Sequence, residues 1–329
     1  MKRAHLLSCL TSAATGLAIV VMTTPVSTAQ TPAAPPQPAL QATAAGDVSA
    51  SPASTSKGLP MWVIRDADST IYLTGTVHLL PDGVDWHSAR LDAALNEAGE
   101  LYLELAEIAD PDWLRAKVMP IVEQHAQWDG PPLSTMLTEQ ERTLLAAALK
   151  KANAPPDVIA KSEKMQPWYT AYALGRDQYI GDFKSENGID QALARIAIAH
   201  GIPVKGMEEV EDQIDLMIGL TPDEQVDGLK MILKAPESMK QTLGRVASIA
   251  YGGWVRGEIN GVEGLAILMS ANPDNDAMLL DRNENWVDRI EEILDRSGVT
   301  FIAVGAAHLV GPDSLQSRLK LRGIKAERY

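Results

Sequence analysis

Two periods of hydrophobic and polar positions run along this chain, and the strand-like segments carry most of the information. Ile71-Tyr72-Leu73-Thr74 is a β-branched and aromatic run that reaches Gly75 and, three residues later, His78. Phe301-Ile302-Ala303-Val304 repeats the design with Gly305 and His308. Met61-Trp62-Val63-Ile64 precedes the first of these runs across the turn-like Arg65-Asp66-Ala67-Asp68-Ser69, which predicts a hairpin. Residues 100–105 alternate so that Leu101, Leu103 and Leu105 share one face while Tyr102 and Glu104 take the other. A short strand within 201–208 runs into Gly206-Met207-Glu208, and a last one is expected at 324–329.

Helical periodicity occupies the intervals. It predicts helices over 86–98, 113–127, 138–152, 156–164, 189–200, 213–220, 222–234, 238–250, 277–296 and 312–321. Strands alternating with helices mean an α/β fold: a mainly parallel or mixed central sheet, helices on both faces and a large helical insertion from about 112 to 168. Within the 277–296 helix, Asp281-Arg282-Asn283-Glu284-Asn285 is polar on every side, so this patch is either a solvated helix start or the lining of a cleft.

The N-terminal part has a different composition. Lys2 and Arg3 precede an apolar stretch and then Ser27-Thr28-Ala29, the layout of a secretory signal peptide over 1–29 with cleavage after Ala29. Residues 30–58 are Ala, Pro, Ser and Thr with almost no large apolar side chain, which reads as a disordered linker. A folded domain over 59–329 remains. Cys9 leaves with the leader, so no disulfide and no thiolate nucleophile is available to the mature chain. Losing Lys2 and Arg3 takes the formal charge from −14 to −16, which argues against nucleic acid as a partner. No later apolar run has the length of a transmembrane segment. A periplasmic or secreted location follows from the leader.

The candidate chemistry lies where strands run out. His78, Glu104, Glu208 and His308 all follow strand-like runs, and Arg282 and Asn283 sit on the helix before the second histidine strand. Were the strands carrying His78, Glu104 and His308 neighbours, two imidazoles and a carboxylate would converge, a common ligand set for a catalytic divalent metal with open positions. Glycine three residues before each histidine would let the backbone turn sharply and approach a ligand. The same pattern is equally compatible with two histidines that merely cap strand ends. His87, His125 and His200 read as helix-surface or helix-end residues.

Gly75-Thr76-Val77-His78, Leu103-Glu104-Leu105, Gly188-Ile189-Asp190, Gly206-Met207-Glu208 with Gln213, Arg282-Asn283 and Gly305-Ala306-Ala307-His308 together resemble the TraB/GumN family, which includes the Tiki proteins. The resemblance spans the whole mature domain. It implies a Tiki-like metal-dependent peptidase in which His78, Glu104 and His308 hold a divalent metal (Mn, Co or Zn), and Glu208, Arg282 and Asn283 occupy recurrent family positions. Glu208 would be a fourth ligand or general base, and Arg282 would steady an anionic intermediate. The expected substrate is a peptide or a small-molecule ester or amide. Related folds imply two alternatives, a metal-independent histidine-based esterase of the erythromycin-esterase type and a non-enzymatic haem or ligand-binding protein. Trp286 stands where the family pattern has Met, and Met207 where it has Leu. Neither is expected to touch a proposed ligand.

Overall fold

The computed structural model describes residues 58–109, 116, 119–151, 160–178, 183–213, 221–270 and 273–329. The expected leader and nearly all of the linker lie outside these residues. So do residues 156–159 of the helix expected at 156–164, nearly all of that at 213–220 and part of that at 113–127.

Six strands form one mixed sheet. They are β1 (Met61–Arg65), β2 (Ser69–Thr76), β3 (Glu100–Leu103), β4 (Val204–Gly206), β5 (Gly298–Gly305) and β6 (Ala326–Arg328), in the order β4-β3-β5-β2-β1-β6. β1 and β2 form the expected antiparallel hairpin, and Asp66 Oδ1 pins its turn by accepting from the Asp68 and Ser69 N–H groups and the Ser69 hydroxyl. β2 pairs parallel with β5 in a register that sets Thr76 opposite Gly305, and β5 pairs parallel with β3. The three strands that lead to His78, Glu104 and His308 are therefore consecutive neighbours. Their C-terminal ends share one edge, the position where α/β sheets place ligands.

Both faces of the central strands are covered, because Ile71, Tyr72, Leu73 and Thr74 are all buried despite pointing alternately up and down. On one face the Tyr72 hydroxyl donates to Glu97 at the end of α1 (Ala89–Glu97). On the other the Ser69 hydroxyl reaches the Leu294 carbonyl. The indole of Trp254 donates to the Gly75 carbonyl at 2.9 Å. Behind these contacts lie α2 (Met119–His125), α3 (Glu139–Lys151), α4 (Pro167–Gln178), α5 (Ile189–Ala199), α6 (Pro222–Lys234), α7 (Glu237–Trp254), α8 (Asn260–Ser270), α9 (Pro273–Leu294) and α10 (Leu315–Leu321).

The helical insertion holds an apolar cluster of its own, with Leu145 and Leu149 of α3 packed against Leu174 of α4 and Leu229 and Ile232 of α6. α4 and α8 were not among the expected helices. Gly261 and Gly264 in α8 and Gly175 in α4 weaken the local helical signal, and tertiary packing overrides it. α9 begins four residues before its expected start, so Asp281–Asn285 is mid-helix, and Arg282 and Asn283 are buried. No helix among the described residues is long and apolar enough to cross a membrane.

Candidate functional site

The backbone brings the acids together first. Beyond the β3–β4 ladder, Met207 N–H donates to the Leu103 carbonyl at 2.8 Å and Glu208 N–H to the Glu104 carbonyl at 3.1 Å, so the two glutamates leave the sheet side by side. Glu104 Oε1 then accepts the Gly305 N–H at 2.6 Å, tying β3 to the end of β5. A Cβ on Gly305 would lie 2.8 Å from that oxygen, and one on Gly75 would lie 2.2 Å from the Trp254 ring. Neither glycine has a positive φ. Their smallness permits close approach, and the sharp turn expected there is not needed.

Arg282 occupies the centre. Its Nε donates to Glu208 Oε2 at 3.0 Å, and its Nη2 donates to Glu208 Oε1 at 2.6 Å and to Glu104 Oε2 at 2.7 Å. Nη1 meets His308 Nε2 at 3.0 Å. A guanidinium carries only donors, so Nε2 accepts and the His308 proton sits on Nδ1. The other side of the ring agrees: Asn283 Nδ2 donates to the Asp313 carbonyl at 2.8 Å, which turns Asn283 Oδ1 toward His308 Nδ1, also 2.8 Å away. Burial, with Arg282 alongside, lowers the His308 pKa to about 3, so the ring is neutral.

Glu208 accepts two further bonds, from Gln213 Nε2 at 2.6 Å and Trp286 Nε1 at 3.2 Å. Four donors saturate this carboxylate, which suits an anchor for Arg282 better than a proton carrier. Burial raises its pKa, opposed by Arg282. Glu104 moves the other way: burial pushes its pKa up, but Arg282 overrides this and holds it at about 2. Trp286 lies over the same group, its ring 4.3 Å from that of His308 and 4.8 Å from the guanidinium carbon. The expectation that Trp286 touches no proposed ligand is thus corrected. One turn of α9 beyond Arg282 is enough to bring it onto His308.

His78 belongs to a second part of the site. Its Nδ1 meets Asp190 Oδ2 at 3.0 Å, and its buried Nε2 has no hydrogen-bond partner among the described residues. Asp190 arrives on the first turn of α5, whose Ile189 N–H docks on the Val77 carbonyl. Gly188 permits this, because a Cβ there would sit 2.7 Å from the His78 carbonyl oxygen. Burial disfavours the imidazolium, yet the Asp190 carboxylate, with Glu104 beyond it, lifts the His78 pKa to about 9.

The structure therefore brings all six expected residues to one end of the sheet and divides them. Arg282 binds Glu104, Glu208 and His308, Asn283 orients His308, and His78 pairs with Asp190. Among the described residues, no three His, Cys, Asp or Glu side chains form a ready-made metal-binding group. Asp190, Gln213 and Trp286 were missed as working residues. An acid in the first turn of a helix reads as a partner for the helix dipole, so nothing local distinguishes Asp190.

The sequence model of the TraB/PrgY/gumN family matches residues 60–328. The chain belongs to this family. A protein of Treponema pallidum (strain Nichols) described as uncharacterized is 18% identical over 276 residues, covering 79% of this chain and 80% of that protein. No solved structure matches. In this TraB/PrgY/gumN member, the Gly-x-x-His pairs, the two glutamates and Arg282-Asn283 thus converge although they lie up to 230 residues apart (His78 to His308).

Proposed function

We propose that this family member is a metal-dependent hydrolase of amide bonds, most simply a peptidase that works outside the cytoplasm. The observation that carries the reading is a charge imbalance in the interior. The side chains of Glu104, Glu208 and Asp190 are all buried, and the cationic groups facing these three acids among the described residues are Arg282 and the protonated His78. Buried carboxylates are costly without compensation. The same anionic surroundings that draw a proton to His78 Nε2 would draw a divalent cation.

The donor set fits such an ion through the orphaned Nε2 of His78, whose other nitrogen is held by a carboxylate as in many metal-ligating histidines. His78 and Glu104 would hold it, and His308 would complete the set by giving up its bond from Arg282 Nη1. A bound divalent ion supplies Lewis acidity toward a substrate carbonyl and a more acidic water. The rest is the work of the chain's own residues. Asp190 orients His78. Glu208, Gln213 and Trp286 hold Arg282 rigid, and Asn283 fixes the His308 tautomer. With the His308 bond given up, the three remaining bonds of Arg282 leave, among the described residues, both N–H groups of Nη1 for a developing anionic oxygen.

The test is metal analysis of purified protein by mass spectrometry, with peptide-library cleavage before and after chelation and re-addition of Mn, Co or Zn. Bound metal lost in a His78→Ala, Glu104→Gln double variant, with cleavage restored to the wild type on re-addition, is the expected result. Full occupancy in the variant would overturn it. The His78–Asp190 pair itself favours a second reading, in which metal is not needed and Nε2 takes a proton from water and passes it to the leaving group. Activity would then survive chelation and rise with pH toward about 9, where His78 loses its proton.

A further inference from the structure

Beside His78 lies a small cavity that none of the site's ionic contacts uses. Its volume is ≈ 30 Å³, and its walls are Tyr251 of α7, Val262, Leu265 and Ala266 of α8, and Ala306 and Ala307 after β5. At about 10–15 Å³ per water in this measure, the space takes two waters or a group of two or three heavy atoms. Its residues with polar side-chain groups are Thr76, His78 and Tyr251, and both Thr76 Oγ1 and His78 Nε2 are buried without a hydrogen-bond partner among the described residues. Val77 and Gly305 supply the remaining lining.

An apolar chamber lined at one side by two unsatisfied polar atoms has the composition of a substrate subsite: the polar atoms meet the reacting group and the walls take its substituent. We infer that this cavity is the side-chain subsite of the enzyme and that it selects amides carrying a methyl to isopropyl group, alanine- to valine-sized, next to the bond that is broken. No carboxylate lines it, so a cationic substituent entering would lose its hydration with nothing in return. An aromatic ring exceeds the volume. Small residues set the limit, since Ala266, Ala306 and Ala307 leave room that any larger side chain would occupy. The inference rests on the hydrolase reading for the chemistry and on the cavity alone for the size rule.

The two can be tested separately. Full-length protein labelled at Leu and Val methyls is titrated with N-acetyl-alaninamide, N-acetyl-valinamide, N-acetyl-lysinamide and N-acetyl-phenylalaninamide, following the Val262 and Leu265 signals. In parallel, peptides with Ala, Val, Lys or Phe at each position are incubated with the protein and the products read by mass spectrometry. The expected result is binding of the alanine and valine amides about tenfold or more tighter than the other two. Ala266→Phe, which fills the cavity, should abolish that preference, and Leu265→Ala, which widens it, should admit larger aliphatic amides. Equal binding of all four amides, no response at either methyl, or a preference unchanged in both variants would overturn the inference. Size-selective binding without cleavage of any peptide would keep the subsite and remove the hydrolase reading. Cleavage without size preference would do the reverse.

Discussion

Replacing Arg282 by Met keeps the bulk of the side chain and removes four hydrogen bonds, three of them to the carboxylates of Glu104 and Glu208. All three residues are buried, with side-chain exposures of 4%, 4% and 7% for Arg282, Glu104 and Glu208. Breaking a buried pair by removing one partner costs about 3–5 kcal/mol, a large share of the 5–15 kcal/mol that typically holds a domain together. Two carboxylates are orphaned here, so the upper end of that range is expected at pH 7. The sign of the pH dependence follows from Glu104. In the native protein its pKa is held at about 2, below the ordinary 4.5, so its contribution is complete above pH 4.5 and is lost as pH falls toward 2. Without the guanidinium, burial raises that pKa above 4.5, and the variant regains stability as the carboxyl protonates on acidification. The gap between the two proteins should be widest at pH 7 and narrow toward pH 5. Urea unfolding followed by tryptophan fluorescence at both pH values measures it. Arg282→Lys keeps the charge but not the fork, and should lose about 2–3 kcal/mol at pH 7 as bonds to charged groups disappear. A gap below about 1 kcal/mol for Met, or one that does not move with pH, would refute the assignment of Arg282 as the counter-ion of this site.

Gly75→Ala would put a Cβ 2.2 Å from the Trp254 ring, and overpacking of that kind costs about 1–3 kcal/mol; an unshifted thermal midpoint would show that α7 can move away freely. Glu141, buried at the start of α3, accepts from Lys234 first and from the Thr138 N–H, which together hold its pKa at about 2. Its contribution is therefore present above pH 4.5 and lost between there and pH 2, so the stability difference between the wild type and Glu141→Gln should shrink across that window, as read from denaturant midpoints.

Much of the fold is local in origin. The two Gly-x-x-His runs are strands because β-branched and aromatic residues dominate them, and the 222–234 helix appears as expected because Thr221 and Glu224 form a capping box ahead of an amphipathic face. The six residues singled out from the motifs do reach one sheet edge, since parallel pairing of β2, β5 and β3 follows from strands separated by helices. What each one does at that edge has no local signal. Arg282 lies in a run of polar residues that reads either as a solvated helix start or as the lining of a cleft, and the packing of α9 decides it by burying Arg282 among two glutamates and a histidine from three other segments. Asp190 is one acid in a helix's first turn until Gly188 lets α5 close on His78, and Trp286 is one substitution in a motif until the same helix lays it on His308. Spacing along a chain records which face or strand end a side chain belongs to. Partnership between polar groups 25 to 201 residues apart is decided by register and helix docking, and here that is what divides two similar histidines into one with an unpartnered nitrogen among the described residues and one with none.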